Sequence, residues 1–482
     1  MNARFARFVV LVSGAAILVV ETLATRLVAP YVGLTLESTT AVIGVALAGI
    51  AAGASLGGRW ADVFPPQRVA AGALAVGGLG VLAVRPLVRL LGPVLGPGPV
   101  AAILLVAAST LVSVTALAMV TPAVTRARLT GVDGSGTVIG ELSAAGTIGS
   151  LAGTFLTGFV LVTFLPVTAI LLVTALACLV LAATVAGAAH RAEVTRTAVA
   201  AVLLAVALVA VPGRCDADTV YYCARVDADP ENVNGQVLVL DDLRHSYVDR
   251  ADPAHLEFAY TQRFGGAIDS AYPAGQPLDV VHVGGGGFTM PRWLAATRPG
   301  STSTVLEVDQ GVVDLGRREL GVDEIPDTEI QVGDARTTLA RLPANSADVV
   351  VGDAFGARSV PWHLATTEFV DDVRRVLRPG GLYVLNIIDR DPLTLLDAEI
   401  ATVADRFVTV ALMVRPDQLV PGGGGNAVLL ASDRAPDLAA LAASSAARGE
   451  PGSVLDDAAT RQRAVGAPVL TDDRAPVDQL QT

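Results

Sequence analysis

The residues best suited to chemistry stand at four places in the second half of the chain, each where an apolar run ends. Val281-His282-Val283 runs into Gly284-Gly285-Gly286-Gly287, and Leu306 runs into Glu307, with Asp309 two residues on. Val332-Gly333 runs into Asp334, and Val349-Val350-Val351-Gly352 into Asp353. Consecutive glycines after a strand let a ligand approach the backbone closely. A carboxylate closing the next strand can accept both hydroxyls of a ribose, which is the chemistry expected of Glu307. Asp334 is suited to accept from an adenine amine. Asp353, beside Ala354-Phe355-Gly356, would face the reacting group. The dinucleotide pattern G-x-G-x-x-G with a helix directly after it is not matched, because Pro291 follows the turn closely.

The elements that must position these groups follow from periodicity. Strands are predicted over 278–283, 303–309, 328–333, 347–353, 381–388, 408–414 and 426–431, with amphipathic segments between them. One such segment, 364–378, stops at Arg378-Pro379-Gly380-Gly381, a helix terminator. Strand and helix in alternation predict a parallel, doubly wound sheet, with ligands bound outside the carboxyl ends of its strands. Residues 219–250 predict β-hairpins ahead of it. Trp362-His363 are candidates to cap the cleft. Residues 434–463 read as a surface helix or a loose tail.

The first 213 residues are of another kind. A membrane-crossing helix needs about 20 apolar residues, and seven runs qualify, at about 8–30, 39–60, 67–88, 98–120, 138–163, 166–188 and 195–212. The chain therefore divides into a multi-pass helical membrane domain (1–213), a β-hairpin region (214–275) and a Rossmann-like α/β domain (276–482). Arginines cluster at Arg4/Arg7, Arg59/Arg68, Arg126/Arg128 and Arg191/Arg196. The positive-inside rule then places the N-terminus in the cytoplasm, and seven spans would put residues 214–482 outside. Cys215 and Cys223 fit that side, where a small disulfide loop can persist. Gly49, Gly53 and Gly57, and again Gly149 and Gly153, form small-residue faces suited to close helix packing, although glycine is also simply common in membrane helices. Glu21 lies within the first run, where a charge needs a partner or a polar path.

Charge separates the halves further. Residues 1–213 carry 11 Arg and 6 acids, residues 214–482 carry 23 Arg and 40 acids, and there is no lysine. A soluble half this acidic argues against nucleic-acid binding and tolerates cationic ligands. No zinc-type spacing is present, so no metal is expected.

Residues 214–482 resemble the spermidine synthase (polyamine aminopropyltransferase) family, which has the class I methyltransferase fold. The resemblance lies in the Gly284–Gly287 turn, Leu306-Glu307-Val308-Asp309, Val332-Gly333-Asp334 and Asp353-Ala354-Phe355-Gly356. It also lies in Leu240 to Tyr247 and Asp252 to Tyr260, similar to that family's N-terminal hairpin and substrate-gating tyrosine. Glu21 to Pro30 are similar to the first helix of the membrane-fused branch. The resemblance implies aminopropyl transfer from decarboxylated S-adenosylmethionine to a polyamine such as putrescine. It implies Glu307 on the ribose, Asp334 on the adenine amine, Asp353 as general base, and Tyr260, with His245 nearby, over the amine substrate. A homo-oligomer is a further expectation. The chain departs from the family where its turn ends in Asp (here Gly287) and where its fourth strand has a second Asp (here Gly356). Those departures keep two alternatives open: another S-adenosylmethionine-dependent transferase of methyltransferase type, or a transporter or scaffold with a non-catalytic nucleotide-binding domain.

Overall fold

The computed structural model describes every residue except 33–35, 96–97, 130, 132–133, 163–164, 187–214, 220, 242, 357–359, 448–452 and 482. The chain separates into two compact units, Met1–Gly213 and Arg214–Thr482.

The first unit is helical. Its helices are α1 (Ala3–Val32), α2 (Leu36–Val63), α3 (Pro66–Leu95), α4 (Pro99–Ala118) with its continuation α5 (Val120–Arg128), α6 (Ser135–Leu156) with a π-helical turn at Thr157–Leu161, and α7 (Val167–Val185). Among the described residues, six helices are long and apolar enough to cross a membrane. The seventh expected run, 195–212, lies outside the described residues. Helix α3 contains Pro86 and runs seven residues beyond its expected end, through Pro93. Proline is tolerated inside such helices because neighbouring helices and local adjustments re-satisfy the freed backbone groups.

The glycine faces are packing faces. A Cβ on Gly149 would stand 2.0 Å from the Leu11 carbonyl oxygen of α1, and one on Gly153 would stand 2.5 Å from that of Ala15. Gly53 and Gly57 meet α4 and Met119 in the same way, at 2.2 Å from the Thr115 oxygen and 2.6 Å from the Met119 oxygen. Where the hydrophobic effect does not separate helix from lipid, this closeness of backbones is what holds helices together. On its outer side α6 exposes Ile148, Leu151 and Phe155. Glu141 of α6 pairs with Arg7 of α1 at 3.9 Å.

The second unit holds two sheets. Strands β1 (Ala217–Asp218), β2 (Cys223–Ala228), β3 (Gly235–Leu240) and β4 (Leu243–Asp249) form an antiparallel sheet in sequence order. The predicted hairpins are thus present, with Cys215 and Cys223 joined in a disulfide across 5.2 Å between Cα atoms. The larger sheet contains β5 (Asp279–Val283), β6 (Thr302–Glu307), β7 (Thr328–Val332), β8 (Ala347–Gly352), β9 (Leu377–Arg390), β10 (Thr409–Met413), β11 (Gly424–Ser432) and β12 (Val454–Leu455). Its order is β12-β10-β11-β9-β8-β5-β6-β7. Strands β7 to β9 across β5 pair in parallel, as predicted. The expectation of a parallel sheet throughout needs correcting, because β11 returns between β9 and β10 and pairs antiparallel with both. Only a short connection through Pro416–Gln418 joins β10 to β11. A parallel neighbour needs a crossover of a dozen residues or more, whereas a short connection suffices to reverse the chain.

Helices α8 (Ala259–Ala271), α9 (Thr289–Thr297), α10 (Gln310–Glu319), α11 (Ala335–Leu339), α12 (Thr367–Val376) and α13 (Thr394–Ala404) surround this sheet. Val280, Val281 and Val283 of β5 and Val349, Val350 and Val351 of β8 are all buried. Strands covered on both faces read as unbroken apolar runs, and burying each such side chain contributes roughly 1.5–3 kcal/mol. Residues 434–463 contain α14 (Leu438–Ala447), β12 and α15 (Asp457–Arg463).

Gly149→Ala should lower the melting temperature of the detergent-solubilised protein, since overpacking costs about 1–3 kcal/mol. Gly140→Ala, with nothing within 4 Å of its added Cβ, should leave it unchanged. Equal melting of the two variants would contradict this packing.

Candidate active site

The sheet changes direction at β5: β6 and β7 follow on one side, β8 and β9 on the other. Such a switch point opens a crevice beyond the strand ends. Backbone pairing aligns the four predicted positions there. Gly284 N–H donates to the Leu306 oxygen, Gly333 N–H to the Glu307 oxygen and Asp353 N–H to the Val283 oxygen, each at 2.9 Å. Gly284 has φ +95°, and a Cβ on it would lie 2.5 Å from the Asp353 carbonyl oxygen. Only glycine lets the ends of β5 and β8 come together this closely.

The hairpin sheet closes over the turn. Gly287 N–H donates to Ser246 Oγ of β4 at 2.8 Å, and Thr289 Oγ1 donates to the Tyr247 oxygen at 2.8 Å. A Cβ on Gly287 would stand 2.7 Å from Ser246 Cβ. A side chain at 287 would therefore require Ser246 to move.

Glu307 is buried and held by the turn. Its Oε2 accepts from Gly285 N–H at 2.8 Å and Gly286 N–H at 3.3 Å, and its Oε1 accepts from Asp309 N–H at 2.9 Å. Burial pushes its pKa up, and those amides oppose the rise. Asp334 caps α11 by accepting from Arg336 N–H at 2.8 Å, and its other oxygen lies 3.1 Å from His363 Nε2. Asp309 caps α10 and accepts from the Thr219 hydroxyl. Burial, then the charges of Asp309, Asp334 and Glu307, raise the pKa of the Tyr221 phenol. The carboxylates closing β6 and β7 thus act on one tyrosine brought in by the hairpin region.

Asp353 is enclosed differently. Its Oδ1 accepts from Asn386 Nδ2 at 2.9 Å, and the Tyr260 hydroxyl also hydrogen-bonds to it. That hydroxyl lies 3.4 Å from the His245 carbonyl oxygen as well. Asn426 Nδ2 donates to Asn386 Oδ1 at 3.1 Å, and Arg263 Nη1 donates to the Asn426 oxygen at 2.6 Å. Burial pushes the Asp353 pKa up to about 7, against the hydrogen bonds from Asn386 and Tyr260. Desolvation disfavours the charged form of a carboxyl group, and donors to it favour that form. The result is a group poised to gain or lose a proton near neutrality, as proton transfer requires. Burial also depresses the His245 imidazole to about 4, so it is neutral there.

The structure thus brings Gly284 to Gly287, Glu307, Asp334 and Asp353 to the carboxyl ends of neighbouring strands, with the Tyr260 hydroxyl on Asp353 and the His245 carbonyl on that hydroxyl. His255 stands apart, 3.1 Å from Glu257. Trp362 is half exposed, and its neighbour His363 is the residue that reaches Asp334. Among the described residues no group of three His, Cys, Asp or Glu side chains could hold a metal ion. Sequence reading missed Ser246, Tyr221, Asn386 and Asn426. Asn386 left a signal: it is the polar residue within the apolar run Leu382 to Ile388. Ser246 left none, since its contact spans 41 residues of sequence.

Residues 281–385 match the family model of a methyltransferase domain. The chain is 30% identical over 134 residues to a polyamine aminopropyltransferase of Vibrio vulnificus, covering 27% of this chain and 44% of that protein. It is 33% identical over 105 residues to a probable polyamine aminopropyl transferase of Bifidobacterium longum, covering 22% and 23%. The matched segments span less than half the length of either relative. Among solved structures, a probable spermidine synthase from Corynebacterium glutamicum superposes with a TM-score of 0.51 at 28% identity, over 54% of this chain and 97% of that one. The C-terminal unit thus has the methyltransferase fold and is similar to a probable spermidine synthase, in one chain with six helices, among the described residues, long and apolar enough to cross a membrane.

Proposed function

We propose that the C-terminal unit transfers an aminopropyl group from decarboxylated S-adenosylmethionine to a small polyamine such as putrescine. The observation that carries this reading is Asp353, buried at the switch point with a pKa of about 7 and two side-chain donors. In the proposed reaction Glu307 holds the ribose and Asp334 the adenine amine. The acceptor nitrogen gives its proton to Asp353 and its lone pair attacks the carbon next to the sulfonium. The carbon–sulfur bond breaks, and its electrons stay on sulfur as a neutral thioether. Tyr260 and the neutral His245 border the acceptor, and the anionic Asp353 attracts a cationic amine. The names of the similar proteins support the same reaction class.

One observation favours a second reading, methyl transfer from S-adenosylmethionine. The turn ends in Gly287 beside Ser246, so it offers no carboxylate to repel the carboxylate of that donor. The helical unit would hold either enzyme at a membrane. The disulfide supports an extracytoplasmic C-terminal unit, since cytosolic thiols stay reduced.

Purified protein incubated with putrescine and each labelled donor should yield spermidine and methylthioadenosine from the decarboxylated donor only. A methylated product from S-adenosylmethionine would establish the second reading. Ligand binding without either product would make the domain a sensor.

The rate should rise with pH through about 7, because Asp353 must be anionic to accept the proton. Asn386→Ala and Tyr260→Phe each remove a hydrogen bond that favours the anion, so each should move this acid limb up by about one unit. Asp353→Asn should abolish turnover. An acid limb that stays in place in both Asn386 and Tyr260 variants would remove Asp353 from the role of base.

A further inference from the structure

Within the disulfide-closed segment from Cys215 to Cys223, two residues make long-range contacts at the strand ends. The Thr219 hydroxyl donates to the Asp309 carboxylate, 90 residues away in sequence. The Tyr222 hydroxyl donates to the Phe355 carbonyl, just past Asp353, at 2.9 Å. Between them stands Tyr221, whose backbone N–H donates to Thr219 Oγ1 at 3.2 Å and which remains 37% exposed as a residue. Thr219 comes this close because residue 311 is glycine: a Cβ there would lie 2.6 Å from Thr219 Cγ2. The disulfide joins the two ends of the segment, and Cys223 N–H is fixed in addition by Asp241 Oδ1 at 2.9 Å.

A partly exposed aromatic residue, flanked by one neighbour bonded to Asp309 beyond β6 and another bonded to Phe355 beyond β8, is placed to cover a nucleoside at those strand ends. We propose that Tyr221 contacts the bound nucleoside, and that the Cys215–Cys223 disulfide holds it in place, so that nucleoside affinity depends on the oxidation state of this pair. The inference rests on the nucleoside-binding reading above and adds a contact and a dependence to it. The raised pKa of the Tyr221 phenol, caused by burial and then by Asp309, Asp334 and Glu307, agrees with this placement. Opening the switch is a two-electron step. A dithiol supplies two electrons and two protons, the S–S bond becomes two cysteine thiols, and the dithiol closes into its own disulfide. Without the cross-link the segment regains conformational freedom, and ordering Tyr221 again opposes binding.

The test is calorimetric titration of the full-length protein in detergent with methylthioadenosine, before and after treatment with dithiothreitol. Reduction should weaken binding about tenfold, or about 1.4 kcal/mol, and Cys215→Ser/Cys223→Ser should match the reduced wild type. Tyr221→Ala should bind as weakly while oxidised and should no longer respond to reduction, whereas Tyr221→Phe, which keeps the ring, should retain most of the affinity. Melting of each unliganded variant, followed in parallel, separates loss of the contact from loss of the fold. Unchanged affinity on reduction, wild-type affinity of oxidised Tyr221→Ala, or a full redox response surviving in Tyr221→Ala overturns the proposal and leaves the nucleoside reading intact. Absence of any nucleoside binding by the oxidised protein overturns both.

Discussion

A carboxylate withdrawn from water at the end of β8 governs the C-terminal unit. Asp353 is covered by Tyr260 and the hairpin region on one side and by the Asn386–Asn426 pair on the other. Burial alone would make it a permanently protonated acid, and donors alone would make it a permanent anion. Held between them at about 7, it can do both. The arrangement opposes stability. The folded pKa lies above the ordinary carboxylate value, so the fold is favoured most below that value and loses the margin as pH rises through about 7. Electrostatics opposed in this way gather at functional sites.

The rest of the domain serves to place that group. Unbroken valine runs in β5 and β8 fix the two strands at the centre of the sheet, and Gly284 lets their ends touch. Glu307 and Asp334 then follow at the ends of the next strands outward. Both already have protein partners: backbone amides for Glu307, and His363 with a helix cap for Asp334. A nucleoside bound as proposed would meet carboxylates that are oriented in advance, which lowers the cost of organising them at the moment of binding.

Local chemistry was readable from the sequence to the extent that it is local. The strands carrying Glu307, Asp334 and Asp353 were legible within about two residues because buried strands are continuous apolar runs bounded by glycine or acid. The end of α12 was legible within two residues, at Val376 against the expected 378, but Arg378 to Gly381 belong to β9 and do not stop the helix. What escaped depends on distant contacts. Nothing near Ser246 announces that it will occupy the space beside Gly287, and nothing near Tyr221 announces three carboxylates more than eighty residues away. The insertion of β11 between β9 and β10 escaped because pairing order is decided by tertiary packing and not by periodicity. In the helical unit the glycine faces were visible, and it took backbone distances of 2.0–2.6 Å from the added Cβ to show that they are intramolecular seams.

The central claim is that Asp353 changes charge near neutrality inside the folded protein. Infrared difference spectroscopy of the carboxyl stretch, wild type minus Asp353→Asn, measures that titration without substrate or turnover. A protonated-carboxyl band assigned to Asp353 that disappears with a midpoint near pH 7 is the expected result. A midpoint in the ordinary carboxylate range, about 4, would show a solvated surface acid and contradict the account.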